Sequence, residues 1–111
     1  MDRAALLERL GDDGAACQEI IALFLRDAPN QICSLQEATD RGDAASVQRL
    51  AHTLNGASAN IGATRLEKVA RQMEKSAEKD DLKRVADLLV EIRVEFQALT
   101  MVLPSKRGDV L

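Results

Sequence analysis

Residues 82–103 read LKRVADLLVEIRVEFQALTMVL, and this stretch is the clearest evidence for the fold. Its apolar residues recur every three or four positions, which is the period of an α-helix with one buried face. Pro104 follows directly and cannot continue a helix. Because such a helix is stabilised mainly by packing of its apolar face, we expect the rest of the chain to supply partner helices. The stripe comprises Leu82, Val85, Leu88, Leu89, Ile92, Phe96, Leu99 and Leu103.

The longest of the preceding helical segments begins after Asp12 or Asp13 and ends at Gly42. Pro29 lies inside it, but the apolar stripe keeps its phase on both sides of the proline. We therefore predict one kinked helix rather than two separate ones. Residues 2–10 are predicted to form a short extra helix at the N-terminus.

Two shorter segments lie between these. Residues 44–60 are predicted to be helical, with Asp43 as the N-cap and Gly62 at the end. The next helix is predicted to start with the sequence Thr64-Arg65-Leu66-Glu67, which has the spacing of a capping box. Short connections between amphipathic helices favour antiparallel neighbours.

The predicted fold is therefore all-α, an antiparallel four-helix bundle with a short extra N-terminal helix. The composition agrees, because 17 Ala and 15 Leu outnumber 5 Ile and 7 Val, the residues that favour strands. With 111 residues the chain is one domain by length. We assign residues 1–104 to the bundle and residues 105–111 to a flexible C-terminal tail.

Several classes of function are excluded by composition. The net charge is −3 and the aromatic residues are two Phe, which disfavours nucleic-acid binding. There is no apolar run of 18 residues and no secretory signal, so we expect a cytoplasmic protein without membrane insertion. Cys17 and Cys33 match no metal-binding pattern and are expected to be buried thiols. A single histidine, His52, excludes His-rich metal sites.

His52 is predicted to face away from the core. On a helical wheel for residues 44–60 it falls about 140° from the centre of the apolar stripe. Its neighbours on that face are small residues, namely Ala45, Gly56 and Ala59. A glycine inside a helix costs about 1 kcal/mol relative to alanine, so Gly56 suggests close approach of another surface. The alternative is a tolerated glycine beside an ordinary surface histidine.

Residues 51–63 read AHTLNGASANIGA and are followed by Leu66 and by Gln72-Met73-Glu74. This pattern resembles the histidine-containing phosphotransfer (HPt) domain of two-component signal-transduction phosphorelays. The resemblance covers most of the chain and implies a four-helix bundle. It also implies that His52 is the phosphoacceptor of a phosphoprotein that relays phosphoryl groups between receiver-domain aspartates.

One position departs from the family pattern. The family usually has a lysine three residues after the histidine, where this chain has Asn55. The amide of Asn55 can donate a hydrogen bond to a developing oxyanion but offers no charge. Arg49, one turn before His52, is our candidate for the missing cation near the phosphoryl group, together with Asn55 and Gly56 as phosphate-proximal residues. The other interpretation is a domain that is weak or degenerate as a phosphoacceptor.

Glu74 resembles the family's acidic or amide residue that hydrogen-bonds the histidine ring. If its carboxylate accepts the Nδ1 proton, Nε2 is left free as the nucleophile, as in the orienting logic of catalytic triads. The alternative is that Glu74 is a solvated residue that pairs at most with Arg71, one turn back.

The resemblance also implies partners and cofactors. We expect docking on the small-residue face through Ala45, Gln48 and Ala59, extended by Leu7. Leu7 and its neighbouring leucines fit equally well as a cap on the end of the bundle. The partners are response-regulator receiver domains, and a hybrid sensor histidine kinase could carry one of them. We expect no cofactor of its own, Mg²⁺ on the receiver, and a monomer.

The function that follows is a phosphocarrier, a phosphotransfer intermediate rather than an autonomous catalyst. The main alternative is a non-catalytic helical-bundle adaptor, a degenerate HPt domain that binds a receiver or kinase without phosphorylation. A third is a domain phosphorylated directly by the catalytic domain of a histidine kinase.

Overall fold

Three short turns divide the described chain into four helices. The computed structural model describes the backbone of residues 14–102 and the side chains from residue 18 onward. Within this range every element is α-helical, which confirms the predicted all-α four-helix fold, and no helix is both long and apolar enough to cross a membrane. The predicted helix at 2–10 and the tail at 105–111 lie outside the described residues. The helices are α1 (Gly14–Asp40), α2 (Ala44–Asn60), α3 (Thr64–Glu78) and α4 (Leu82–Val102).

The turns make the successive helices antiparallel. Gly42 has φ 70° and Gly62 has φ 73°, a left-handed conformation that glycine adopts without a steric penalty. Asp80 takes the same role in the last turn with φ 58°. Because the turns are only a few residues long, each helix packs back against the one before it.

The helices close into a bundle in which α2 packs mainly against α3, while α1 contacts both α2 and α4. The core holds one stripe from each helix, including the fully buried Leu54 of α2 and Ile92 of α4. Phe24 of α1 and Phe96 of α4 form a tilted pair with ring centroids 6.0 Å apart. This packing buries the inner face of α2, and within the described residues no other helix covers its outer face.

Two local predictions were wrong. Thr64 is already the first residue of α3, the N-cap is Ala63, and no side chain caps this helix. The capping box therefore does not form, and Glu67 instead pairs with Arg71 one turn later. Cys33 is exposed on α1 rather than buried. Pro29 lies on the exposed side of α1, which continues through it.

The N-cap of α2 carries a pH-dependent contribution to stability. One oxygen of Asp43 accepts a hydrogen bond from the Ser46 backbone N–H at 3.1 Å, and the other accepts one from the Ser46 hydroxyl at 2.6 Å. These bonds, with a smaller contribution from Arg41, hold the pKa of the Asp43 carboxyl below its ordinary value of 3.8. The ionised form is thus favoured in the folded state.

We expect Asp43→Asn to have a lower melting temperature than the wild type above about pH 5, because asparagine caps the helix without a charge. A carboxyl whose pKa is lower in the folded state loses its stabilising contribution as the pH falls through that pKa. The two melting curves, recorded by circular dichroism, should therefore converge in acid. A gap that persists unchanged at about pH 2 would contradict this assignment.

Candidate functional site

The backbone of α2 places His52 on the outside of the bundle. Val47, Ala51, Leu54 and Ser58 are buried on the inner face of this helix, which fixes its rotation. His52 therefore points outward, and 73% of its side-chain surface is exposed. The buried face fixes the orientation of the helix, and the imidazole on the opposite face remains accessible to a partner.

A carboxylate on the neighbouring helix orients the ring. Glu74 of α3 lies with Oε2 3.0 Å from Nδ1 of His52, and its side chain is only 21% exposed. A carboxylate is an acceptor, so we assign the ring proton to Nδ1, which donates to Glu74. Nε2 then carries the lone pair and is not engaged by Glu74. Glu74 therefore contacts the histidine rather than Arg71, whose guanidinium pairs with Glu67 at 2.6 Å.

A second contact between α2 and α3 repeats this one, one turn away. The Gln48 side-chain amide donates to Oε1 of Glu78 at 3.2 Å. Gln48 is four residues before His52, and Glu78 is four residues after Glu74, so the two contacts share one antiparallel register. Glu78 was not predicted from the sequence, although its spacing from Glu74 places both on one stripe of α3.

Gly56 has no structural neighbour that requires a glycine. A Cβ built at this position meets nothing within 4 Å apart from its own helix backbone and adjacent residues. The space lies one turn after His52, beside the half-buried Ala59, while Ala45 is exposed at the start of the helix. No packing contact among the described residues therefore compensates for the lower helix propensity of Gly56. The open space beside the imidazole is accessible from outside.

The two candidate phosphate-proximal side chains lie on opposite sides of His52 around the helix. Asn55 is half-buried and seven residues after Gln48, so it lies on the edge of α2 that faces α3. Arg49 is exposed on the other edge, with Nη2 3.5 Å from the Ser46 hydroxyl. Leu7, a predicted docking residue, lies outside the described residues.

The metal-ligating side chains do not cluster within residues 18–102, where side chains are described. In that range no group of three or more His, Cys, Asp or Glu side chains is close enough to hold a metal ion. The acidic groups near His52 are Glu74 and Glu78, and each is already engaged by an α2 side chain. The arrangement can present a nucleophilic nitrogen on the outside of the bundle.

Comparisons with known proteins identify the class. The family described as Hpt domain matches residues 19–101, which is most of the chain. The chain therefore belongs to the Hpt domain family. It is also similar to the crystal structure of histidine-containing phosphotransfer protein B (HptB) from Pseudomonas aeruginosa PAO1, with a TM-score of 0.76 and 28% sequence identity. That match covers 89% of this chain and 84% of the other. No curated protein matches the chain significantly.

Proposed function

We propose that this chain is a phosphocarrier of a multistep phosphorelay, with His52 as the residue that accepts the phosphoryl group. Membership of the Hpt domain family makes histidine phosphotransfer its function, and the domain works with receiver domains and kinases. The observation that carries the assignment to His52 is its exposed imidazole with Nδ1 3.0 Å from Glu74. It is also the chain's single histidine.

The chemistry is a direct displacement at phosphorus. The Nε2 lone pair attacks the phosphoryl group of a receiver aspartyl phosphate, and the N–P bond forms as the P–O bond to the aspartate breaks. The electron pair of that bond leaves with the aspartate carboxylate. The proton on Nδ1 stays between the ring and Glu74, whose negative charge balances the positive charge that develops on the imidazole. The reverse of these steps returns the group to a receiver.

The receiver is proposed to supply the rest of the machinery. Phosphoryl transfer needs charge neutralisation, commonly by Mg²⁺, and we assign the ion to the receiver's acidic pocket rather than to this chain. Docking would use the face formed by Ala45, Gln48, Gly56 and Ala59, with Leu7 as an extension. We propose a monomer that acts as a transfer intermediate and not as an autonomous catalyst.

The proposed location is the cytoplasm, either as a free protein or as part of a membrane-bound sensor kinase. A hybrid kinase carrying a receiver domain is one candidate partner. An adaptor that is never phosphorylated is supported less well, because it gives no reason for the contact between Glu74 and the ring.

The test is incubation with a receiver domain carrying a radiolabelled aspartyl phosphate. We expect acid-labile, base-stable label on the wild type and none on His52→Ala. The circular dichroism spectrum checks that His52→Ala is folded. Replacing an exposed side chain should not change its helical signal. Label that persists on His52→Ala would overturn the assignment, and a wild type that binds a panel of receivers without label would favour the adaptor.

Replacing Glu74 tests the orientation of the ring. We expect Glu74→Ala to slow transfer to His52 by about 10- to 100-fold, because nothing then holds the Nδ1 proton and the ring can turn. The rate for Glu74→Gln should be closer to that of the wild type, since its amide oxygen still accepts a hydrogen bond from Nδ1–H. The measurement is the initial rate of label transfer at pH 7. Equal rates in the wild type and Glu74→Ala would contradict the orienting role.

A further inference from the structure

We propose that Arg71 of α3 supplies the positive charge that Asn55 cannot, by binding the phosphoryl group once it is on Nε2 of His52. This inference rests on the proposed function. The cation would then come from α3 rather than from α2, the helix of His52. Asn55 lies on the edge of α2 that faces α3. Arg71 is exposed, and 53% of its side-chain surface is accessible.

The register of α2 and α3 places Arg71 beside Asn55. Gln48 contacts Glu78 and His52 contacts Glu74, so moving four residues forward along α2 corresponds to moving four residues back along α3. Three further steps lead from His52 to Asn55 and from Glu74 to Arg71. The two side chains are therefore opposite each other across the groove between the helices.

Arg71 also lies on the correct stripe of α3. The residues that share its stripe are Glu67, Glu74 and Glu78, and the last two are in contact with α2 side chains. Spacings of three and four residues keep all of them on one face of the helix. Arg71 therefore lies on the stripe of α3 that contacts α2, one helical turn of about 5 Å from the residue that holds the histidine.

The existing contact of Arg71 leaves it able to bind phosphate. Its Nη2 donates to Oε2 of Glu67, four residues back, so the side chain already spans a full turn of α3. A guanidinium has five N–H donors in a planar fork, and one bond to Glu67 leaves the others for phosphoryl oxygens. A phosphoryl group brings up to two negative charges, against one on the Glu67 carboxylate. The group on His52 should therefore attract the guanidinium across the groove.

Arg49, three residues before His52 on the same helix, is the competing cation. It lies on the edge of α2 away from α3, and its guanidinium turns toward Ser46 at the start of the helix. Arg71 instead lies on α3, the helix whose Glu74 fixes the ring. Assigning the cation to Arg71 or to Arg49 therefore predicts different results in the same measurement.

The experiment measures the equilibrium of label between a receiver domain and His52. We expect Arg71→Ala to lower the fraction of label on His52 by about three- to tenfold, because an ion pair to the phosphoryl group is lost. Arg71→Lys should keep part of the effect. The matched control is Arg65→Ala, which removes an exposed arginine from the other side of the same helix and should change nothing.

Two further measurements separate a bound phosphoryl group from a general effect of charge. Asn55→Lys should restore the label in the Arg71→Ala variant, since both cations would occupy the same place beside His52. In ³¹P spectra, the pKa of the phosphoryl group on His52 should be higher in Arg71→Ala than in Arg65→Ala, because a nearby cation favours the dianion.

The outcomes distinguish this inference from the proposed function. If the wild type takes no label, the phosphocarrier function itself fails. If the wild type is labelled but Arg71→Ala equals Arg65→Ala in both the equilibrium and the pKa, the role of Arg71 is overturned while the carrier stands. A loss of label in Arg49→Ala with none in Arg71→Ala would assign the cation to Arg49 instead.

Discussion

Gly56→Leu is expected to fold more stably than the wild type and to transfer phosphate at least about 100-fold more slowly. A Cβ at this position meets no atom within 4 Å beyond its own helix backbone and neighbours, so the leucine has room on the outer face of α2. Leucine is a better helix former than glycine by nearly 1 kcal/mol. The same side chain stands one turn from His52, in the space that the receiver would occupy.

The opposite signs of the two effects make this prediction specific. Thermal denaturation gives the stability, and label transfer from a phosphorylated receiver gives the rate. Ala86→Leu is the matched control, because it adds bulk at an exposed position of α4, which packs against α1 and α3. It should leave the rate unchanged. If Gly56→Leu transfers at the wild-type rate, the open space beside His52 is not where the partner docks.

Leu54→Ala is expected to reduce the free energy of unfolding by about 2–5 kcal/mol. Leu54 is fully buried in the centre of α2, two residues from His52 on the opposite face. Removing its side chain leaves a cavity that the close-packed core can only partly fill. Because a domain of this size is stable by only about 5–15 kcal/mol, this is a large share of the total.

Urea denaturation followed by circular dichroism measures this loss. Leu23→Ala is the matched control, since the same truncation on α1 removes a side chain that is 45% exposed. It should cost less than about 1 kcal/mol. Similar losses in the two variants would mean that the core is not organised around the inner face of α2.

The sequence was sufficient to predict the helices that carry strong periodicity. The range predicted for α2, 44–60, is the range observed, and α4 begins at Leu82 as its stripe indicates. These features are local, because a glycine with positive φ or an N-cap acts within a few residues. The capping box predicted at Thr64 was wrong, because the spacing of the residues does not say which of them is the first helical one.

The contacts between helices could be predicted only in part. Glu74 was named from family resemblance, and its wheel position at the edge of the stripe agrees with a reach toward another helix. The pairing of Gln48 with Glu78, and the place of Arg71 opposite Asn55, depend on the axial register of α2 against α3. That register is set by how the core side chains interlock, which a helical wheel does not contain.

The exposure of His52 has a consequence for the shape of any partner. The imidazole is 73% exposed on the outer face of α2, and the small residues Ala45, Gly56 and Ala59 near it have no side chain long enough to wall it in. Only a concave site can surround such an atom, so the walls that keep water from a phosphoryl group in transit must belong to the other molecule. Between encounters, a phosphoryl group carried on His52 as proposed would face bulk solvent, and hydrolysis would limit its lifetime.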